Sequence, residues 1–214
     1  MINMKRIGFD DSYNRFYSAL NFDRAGLFKL IKDEYNCCTA LYPGCSIHIT
    51  PSFYFQHVIY VDISETAKKF FDDNQNILSI INGNKKYKQS AYIQFIHGDY
   101  TKELPLRENN YDLLLSIYAG GITKYCNKYI KPGGIIVSNN HQNDAKEALK
   151  DSSLKLEALI RRKGDKYHIE NDTGEKILRV LQEHGMPLKN MKKSSNGLNY
   201  VDNEYYFVFK KMHI

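Results

Sequence analysis

Carboxylates, imidazoles and amides placed just after apolar runs are the residues of this chain whose types and spacing suit chemistry. Asp62 closes the run HVIYVD and lies 18 residues beyond Gly44, close to the ~20 that separate a glycine turn from the acid holding a ribose diol in nucleotide-binding βαβ units. A carboxylate suits that task because it accepts two hydroxyl protons at once. Asp62 can equally serve the helix that follows it, as its cap or as a solvated neighbour of Ser64, and spacing leaves both readings open. Asp99 ends the segment AYIQFIHGD in a comparable position, with Tyr100 next to it. His48, Asn139, Asn140 and His141 fall in loops after two other apolar runs, where an imidazole and two amides can face one pocket. Either histidine would act as the base for an acceptor that carries a proton. The plainer role for each is a loop histidine bonded to backbone or solvent.

An α/β frame must position these groups. Short continuous apolar runs, the mark of strands buried on both faces, predict strands at 39–42, 58–61, 91–96, 112–117 and 135–137. Between them lie helix-length segments. One begins with Ser64 as its cap and runs to about Gly83; ITKYCNKYIK is stopped by Pro132 and Gly133; NDAKEALK is capped by Asn143 or Asp144. Thr50-Pro51-Ser52 reads as a cap with proline at the first helical position, leaving about one turn before the next strand. Crossovers of this kind imply parallel strands joined right-handedly. Ahead of the first strand, Phe16, Leu20, Leu27, Leu30 and Ile31 suggest one or two packed helices. Beyond Lys150, the pattern predicts two strands around a polar turn at 163–165, a helix ending at Gly185 and a closing strand in EYYFVFKK. Ligands of an open parallel sheet sit at the carboxyl ends of its strands. The loops to watch therefore start at Gly44, Asp62, Asp99, Ser116 and Asn139.

The ordered series LYPG, VDIS, HGDYTKELP, YDLLLS and YIKPGGIIV resembles the class I S-adenosylmethionine-dependent methyltransferase superfamily over residues 39–140. The resemblance implies a Rossmann-like three-layer sandwich with a mostly parallel seven-stranded sheet and an antiparallel C-terminal strand. It implies S-adenosylmethionine as the cofactor. Gly44, with Tyr42 and Ser46 beside it, would approach the cofactor's amino-acid end; Asp62 would hold the ribose hydroxyls, with Ile63 next to it. Asp99 would meet the adenine amino group and Tyr100 the ring, while Ser116, Tyr118 and their neighbours would floor the methyl group. The first motif departs from the family pattern. Where a GxGxG stretch is usual, only Gly44 remains, Ser46 takes the second glycine position and His48 stands two further on.

These features support a methyltransferase acting on a small molecule. The missing glycines support a second reading, a scaffold or interaction module of the same fold that has lost its cofactor. A nicotinamide-dependent oxidoreductase shares the acid after the second strand, but GxGxxG is absent. Asn139-Asn140 does not match the Asp/Asn-Pro-Pro-aromatic signature of amino-methylating relatives, which speaks against nucleic-acid bases as substrate. Charge points the same way. The net +6 divides as +1 over residues 1–38, +2 over 39–140 and +3 over 141–214, too evenly spread for a nucleic-acid surface outside two short clusters at 161–163 and 189–193.

A chain of 214 residues forms one domain and hides roughly 70% of its unfolded surface, so it needs neither disulfide nor structural metal. Cys37, Cys38, Cys45 and Cys126 show neither paired spacing nor CxxC. With no apolar leader at the start of the sequence and no run of ~18 apolar residues, a cytoplasmic protein without a membrane span is expected.

Overall fold

The computed structural model describes residues 23–164, 166–170, 177, 179–181, 191–193, 199–201 and 204–213. Its main sheet holds β1 (Thr39–Pro43), β2 (His57–Asp62), β3 (Tyr92–His97), β4 (Tyr111–Ser116), β5 (Ile130–Ser138), β6 (Leu154–Lys163), β7 (Lys166–Glu170) and β10 (Tyr205–Lys211). Two short strands, β8 (Met191–Lys193) and β9 (Asn199–Val201), pair separately. The main order is β3-β2-β1-β4-β5-β10-β6-β7. β1 to β5 are mutually parallel, and β10 is antiparallel to both β5 and β6. This is the expected mostly parallel sheet with a reversed C-terminal strand. It carries eight strands rather than seven, because β6 turns through Gly164 (φ +61°) and β7 pairs back along its outer edge.

Alternation along each strand makes the sandwich. Ala40, Tyr42, Val58, Tyr60, Leu113 and Leu115 face one side; Leu41, Ile59, Val61 and Leu114 face the other. The first face is covered by α1 (Ala25–Tyr35), α2 (Glu65–Phe71) and α3 (Asn74–Asn84) through Leu27, Phe28, Ile31, Phe70, Phe71, Ile77 and Ile81. The second is covered by α4 (Ile122–Cys126), α5 (Asp144–Ala148) and a helical stretch including Ile177 and Leu181. With both faces dry over β1, β2 and β4, continuous apolar strands are what burial requires there; β3, at the sheet edge, is only half-buried and leaves Tyr92, Gln94 and His97 exposed, unlike the doubly buried strand its apolar run predicts.

Four local expectations change. The single helix after β2 is two: Ser64 Oγ caps α2 by accepting from the Ala67 amide at 3.0 Å, but Asp73 interrupts and caps α3 through the Asn76 amide at 3.3 Å. An aspartate that competes for backbone amides breaks a helix more readily than it continues one. After β1, the 3₁₀ turn Thr50–Phe53 has Ile49 rather than Thr50 at its N-cap. The helix expected to run on to Pro132 and Gly133 ends at Cys126, and the Lys-Pro-Gly-Gly segment lies inside β5. Tyr111 pairs with Ile130 and Leu113 with Ile135, so residues 131–134 bulge out of β5 while the strand runs on. Gly134 is required there, since a Cβ would lie 2.7 Å from Ile130 Cγ2 and 2.9 Å from the Asp112 carbonyl oxygen. Finally, Asn143 holds the N-cap of α5 without a side-chain bond, and Asp144 points into the core. Phe16, Leu20 and Gly185 lie outside the described residues.

Candidate active site

The chain reverses its direction of travel across the sheet between β1 and β4, and the crevice at their carboxyl ends is where such sheets take ligands. Seven backbone positions around it have left-handed φ values: Gly44 (+65°), Ser46 (+49°), Tyr118 (+59°), Gly121 (+70°), Asn140 (+59°), Gln142 (+51°) and Asn143 (+65°). Left-handed backbone costs energy at every residue except glycine. Its concentration in the loops after β1, β4 and β5 marks a segment held in shape by its surroundings.

At the β2 and β3 end the predicted groups come together. Asp62 accepts from the Ser46 amide through Oδ2 and from the Ser64 amide through Oδ1, both at 2.8 Å. Ser64 does the capping, so Asp62 is freed from that role; it ties the loop after β1 to the end of β2, and each oxygen keeps a second lone pair. Ile63 beside it is 68% exposed, an apolar surface next to a carboxylate. Asp99 spends Oδ1 on the Thr101 amide at 2.9 Å and hydroxyl at 2.7 Å. The Thr101 hydroxyl first, and then its amide, hold the Asp99 carboxyl below its ordinary value. Its Oδ2 has no hydrogen bond among the described residues. The Tyr100 hydroxyl donates to the Gly120 carbonyl at 2.9 Å, spanning from the loop after β3 to the loop after β4.

At the β1 and β4 end the picture differs. Gly44 faces Ala119: a Cβ added to Gly44 would stand 2.6 Å from Ala119 Cβ. Gly120 lies under Gln142, whose Oε1 would be 1.9 Å from a Cβ at that position. Tyr118 turns away from the crevice. Its amide donates to Asn139 Oδ1 at 3.2 Å, Arg24 lies 4.6 Å over its ring, and its hydroxyl donates to Glu204.

Several predicted residues belong to the core instead. Tyr42 is buried, with its hydroxyl 3.0 Å from His48 Nδ1. His48 is 2% exposed, and its Nε2 lies 3.0 Å from the Asp23 carbonyl oxygen. A carbonyl only accepts, so Nε2 carries the proton and Nδ1 accepts from Tyr42. Burial first, and Arg24 second, push the imidazole down to about 3. It is a neutral core histidine rather than a crevice base. Ser116 is fully buried, donating to Asp144 Oδ2 at 2.6 Å. Asn139 and Asn140 spend their carbonyl oxygens on backbone amides, Asn139 on Tyr118 and His141 and Asn140 on Lys146. Both are buried, and these bonds shape the loop after β5. His141 alone among the predicted catalytic group stays at the rim, its ring 6.2 Å from Tyr118, and burial lowers its pKa against the pull of Asp144.

Two features escape sequence reasoning. Asp144 is buried yet accepts from Ser116 Oγ, Ser138 Oγ, Thr123 Oγ1 and the Thr123 amide, joining β4, β5, α4 and α5. Glu204, at the head of β10, is buried between Arg24 (3.2 Å) and Arg162 (3.6 Å). Burial pushes its carboxyl up, but Arg24, the Tyr118 and Tyr206 hydroxyls and Arg162 together hold it below its ordinary value. Neither carries a periodicity or motif that singles it out.

No protein-family profile and no curated protein sequence matches the chain. Solved structures do match. A Klebsiella pneumoniae protein described as a candidate O-methyltransferase superposes with a TM-score of 0.57 at 8% identity, covering 99% of this chain and 91% of that one. A SAM-dependent methyltransferase from Thermotoga maritima gives 0.54 at 9% identity, covering 96% and 97%. The cyclase SpnF gives 0.52 at 12%, covering 89% and 81%. Identities this low speak to architecture alone. The strand order, the reversed β10 and these neighbours together make the fold that of the class I methyltransferases, a Rossmann-like three-layer sandwich.

Proposed function

We propose that the carboxyl edge of the sheet binds S-adenosylmethionine and that the protein transfers its methyl group to a small-molecule acceptor in the cytoplasm. The observation that supports this best is the trio at the ends of β2 and β3. An exposed apolar residue, Ile63, stands next to Asp62, and Asp99 keeps one oxygen unengaged. A nucleoside asks for an acceptor pair for its diol, an apolar face for its base and an acceptor for its exocyclic amine. Asp62 would take the ribose hydroxyls, Ile63 and the Tyr100 ring would flank the adenine, and Asp99 Oδ2 would accept from the amine. These acceptors and the apolar face fit this half of the cofactor. The half that would pass Gly44 meets Ala119 in this conformation.

Bound there, S-adenosylmethionine supplies a sulfonium-activated methyl group. The protein's part is alignment of donor and acceptor and exclusion of water. Where the acceptor carries a proton, His141 is the group to receive it, since burial favours its neutral form. A small acceptor suits the thin spread of positive charge along the chain.

Calorimetric titration with S-adenosylmethionine and its demethylated product tests the proposal. Binding at micromolar to millimolar ligand, lost by about tenfold or more in Asp62→Ala, is the expected result. No heat with either ligand, and no difference between the two proteins, would sink it.

The contact between Gly44 and Ala119 favours a second reading, a scaffold of this fold that does no chemistry. It predicts a folded protein that releases no methyl group to any acceptor even where nucleoside binding is measurable.

A further inference from the structure

The loop after β4 is fastened at both ends. Tyr118 is fixed by Glu204 on one side: its hydroxyl donates to the carboxylate, and the Arg24 guanidinium that lies over its ring also binds Glu204 Oε1 at 3.2 Å. Gly120 is fixed on the other side by the Tyr100 hydroxyl at 2.9 Å. Between these fastenings Ala119 is pressed onto Gly44, the single glycine left in the loop after β1. Tyr118 itself has φ +59°, and Gly121 has φ +70°. A tyrosine adopts that conformation only when neighbouring contacts outweigh its cost. Glu204 and Arg24 are buried charges, which add little to stability relative to well-packed apolar side chains but impose one arrangement on whatever they bind.

We propose that residues 118–121 form a lid, latched shut by Glu204 through Tyr118, that covers Gly44 and so closes the amino-acid half of the cofactor site while leaving the nucleoside half open. The inference rests on the nucleoside reading of Asp62, Ile63 and Asp99 given above. Opening needs the Tyr118 hydroxyl to leave Glu204 and the Gly120 carbonyl to leave the Tyr100 hydroxyl, and the glycine pair at 120–121 supplies the rotational freedom for the swing. Ligand affinity for such a site is reduced by the fraction of molecules that are open, so weakening the latch raises the apparent affinity of any ligand long enough to pass Gly44.

Adenosine and S-adenosylhomocysteine separate the two halves. Titrations of both ligands into wild type, Tyr118→Phe and Ala119→Gly would compare them. Tyr118→Phe removes only the latch hydroxyl and keeps the ring under Arg24; Ala119→Gly removes the group over Gly44 and leaves both fastenings in place. The expected result is adenosine binding equal in all three proteins, with S-adenosylhomocysteine bound at least about fivefold tighter by both variants. Amide exchange at residues 118–121 would be faster in Tyr118→Phe. S-adenosylhomocysteine affinity that is unchanged or weaker in variants that remain folded overturns the lid. Should Tyr118→Phe fail to fold, Ala119→Gly decides the matter alone. Absence of adenosine binding in all three proteins overturns the nucleoside reading, and the lid with it; adenosine binding without the gain for the longer ligand overturns the lid only.

Discussion

Glu204 at the head of β10 accepts a hydrogen bond from Tyr118, on the loop after β4, and an ion pair from Arg24, at the start of α1. Three distant segments of the chain thus converge on one carboxylate, with Arg162 of β6 on its far side at 3.6 Å. Removing the charge leaves two buried guanidiniums facing a neutral amide. Breaking a buried pair in this way costs about 3–5 kcal/mol. Glu204→Gln is therefore expected to lower the unfolding free energy by that amount, measured by urea unfolding, whereas a change under about 1 kcal/mol would show that the charge is not needed.

His48 makes the protein sensitive to acid. Its folded pKa is depressed to about 3 from the ordinary 6.5, so between those values the unfolded chain takes up a proton that the folded protein refuses. Stability from this residue is fully present above about pH 6.5 and falls as the pH drops toward 3, at up to about 1.4 kcal/mol per pH unit. His48→Gln keeps a donor and an acceptor near Asp23 and Tyr42 but cannot titrate. Thermal unfolding of the two proteins from pH 7 to pH 4 should converge as the pH falls; parallel curves would contradict the assignment.

Asp144 is the fastening of the second face. Four donors from β4, β5 and α4 meet its carboxylate, the Ser116 and Thr123 hydroxyls at 2.6 Å each. Asp144→Ala strands all of them in the core, where each unsatisfied group costs about 1–3 kcal/mol. We expect a loss of at least about 3 kcal/mol in chemical unfolding, and Asp144→Asn to fall between the two because its amide NH₂ can no longer accept. Equal stability of Asp144→Ala and wild type would show that water takes over the donors.

The frame of the fold was legible because strand burial is written directly into composition. Leu41, Ile59, Val61 and Leu114 must be apolar to lie between helices, and the run lengths locate β1, β2 and β4 to within a residue or two. Asp62 was legible for a related reason: a charge at the end of a buried strand marks the point where the chain leaves the core; Asp99 was legible from its place just past the end of the half-buried β3. The bulge at residues 131–134 was not. Proline and two glycines punctuate a turn and a strand bulge alike, and the register of β4 against β5 decides between them.

The catalytic candidates show where sequence stops. His48 and His141 look alike in the chain, each a histidine shortly after a strand; one turns into the core against Tyr42 and the other stays at the rim. Asn139 and Asn140 were read as ligand-facing amides and proved to be braces for left-handed backbone.

By itself, then, the sequence determined the α/β frame, the reversed last strand and the two acids at the ends of β2 and β3, because burial and strand exit are local properties of residue type and order. Only the tertiary structure decided which polar groups face the crevice. That choice is made by contacts between segments far apart in the chain, such as Tyr118 with Glu204, Ser116 with Asp144 and Gly44 with Ala119. Such contacts leave no period and no spacing to read, since each depends on two loops arriving at one point.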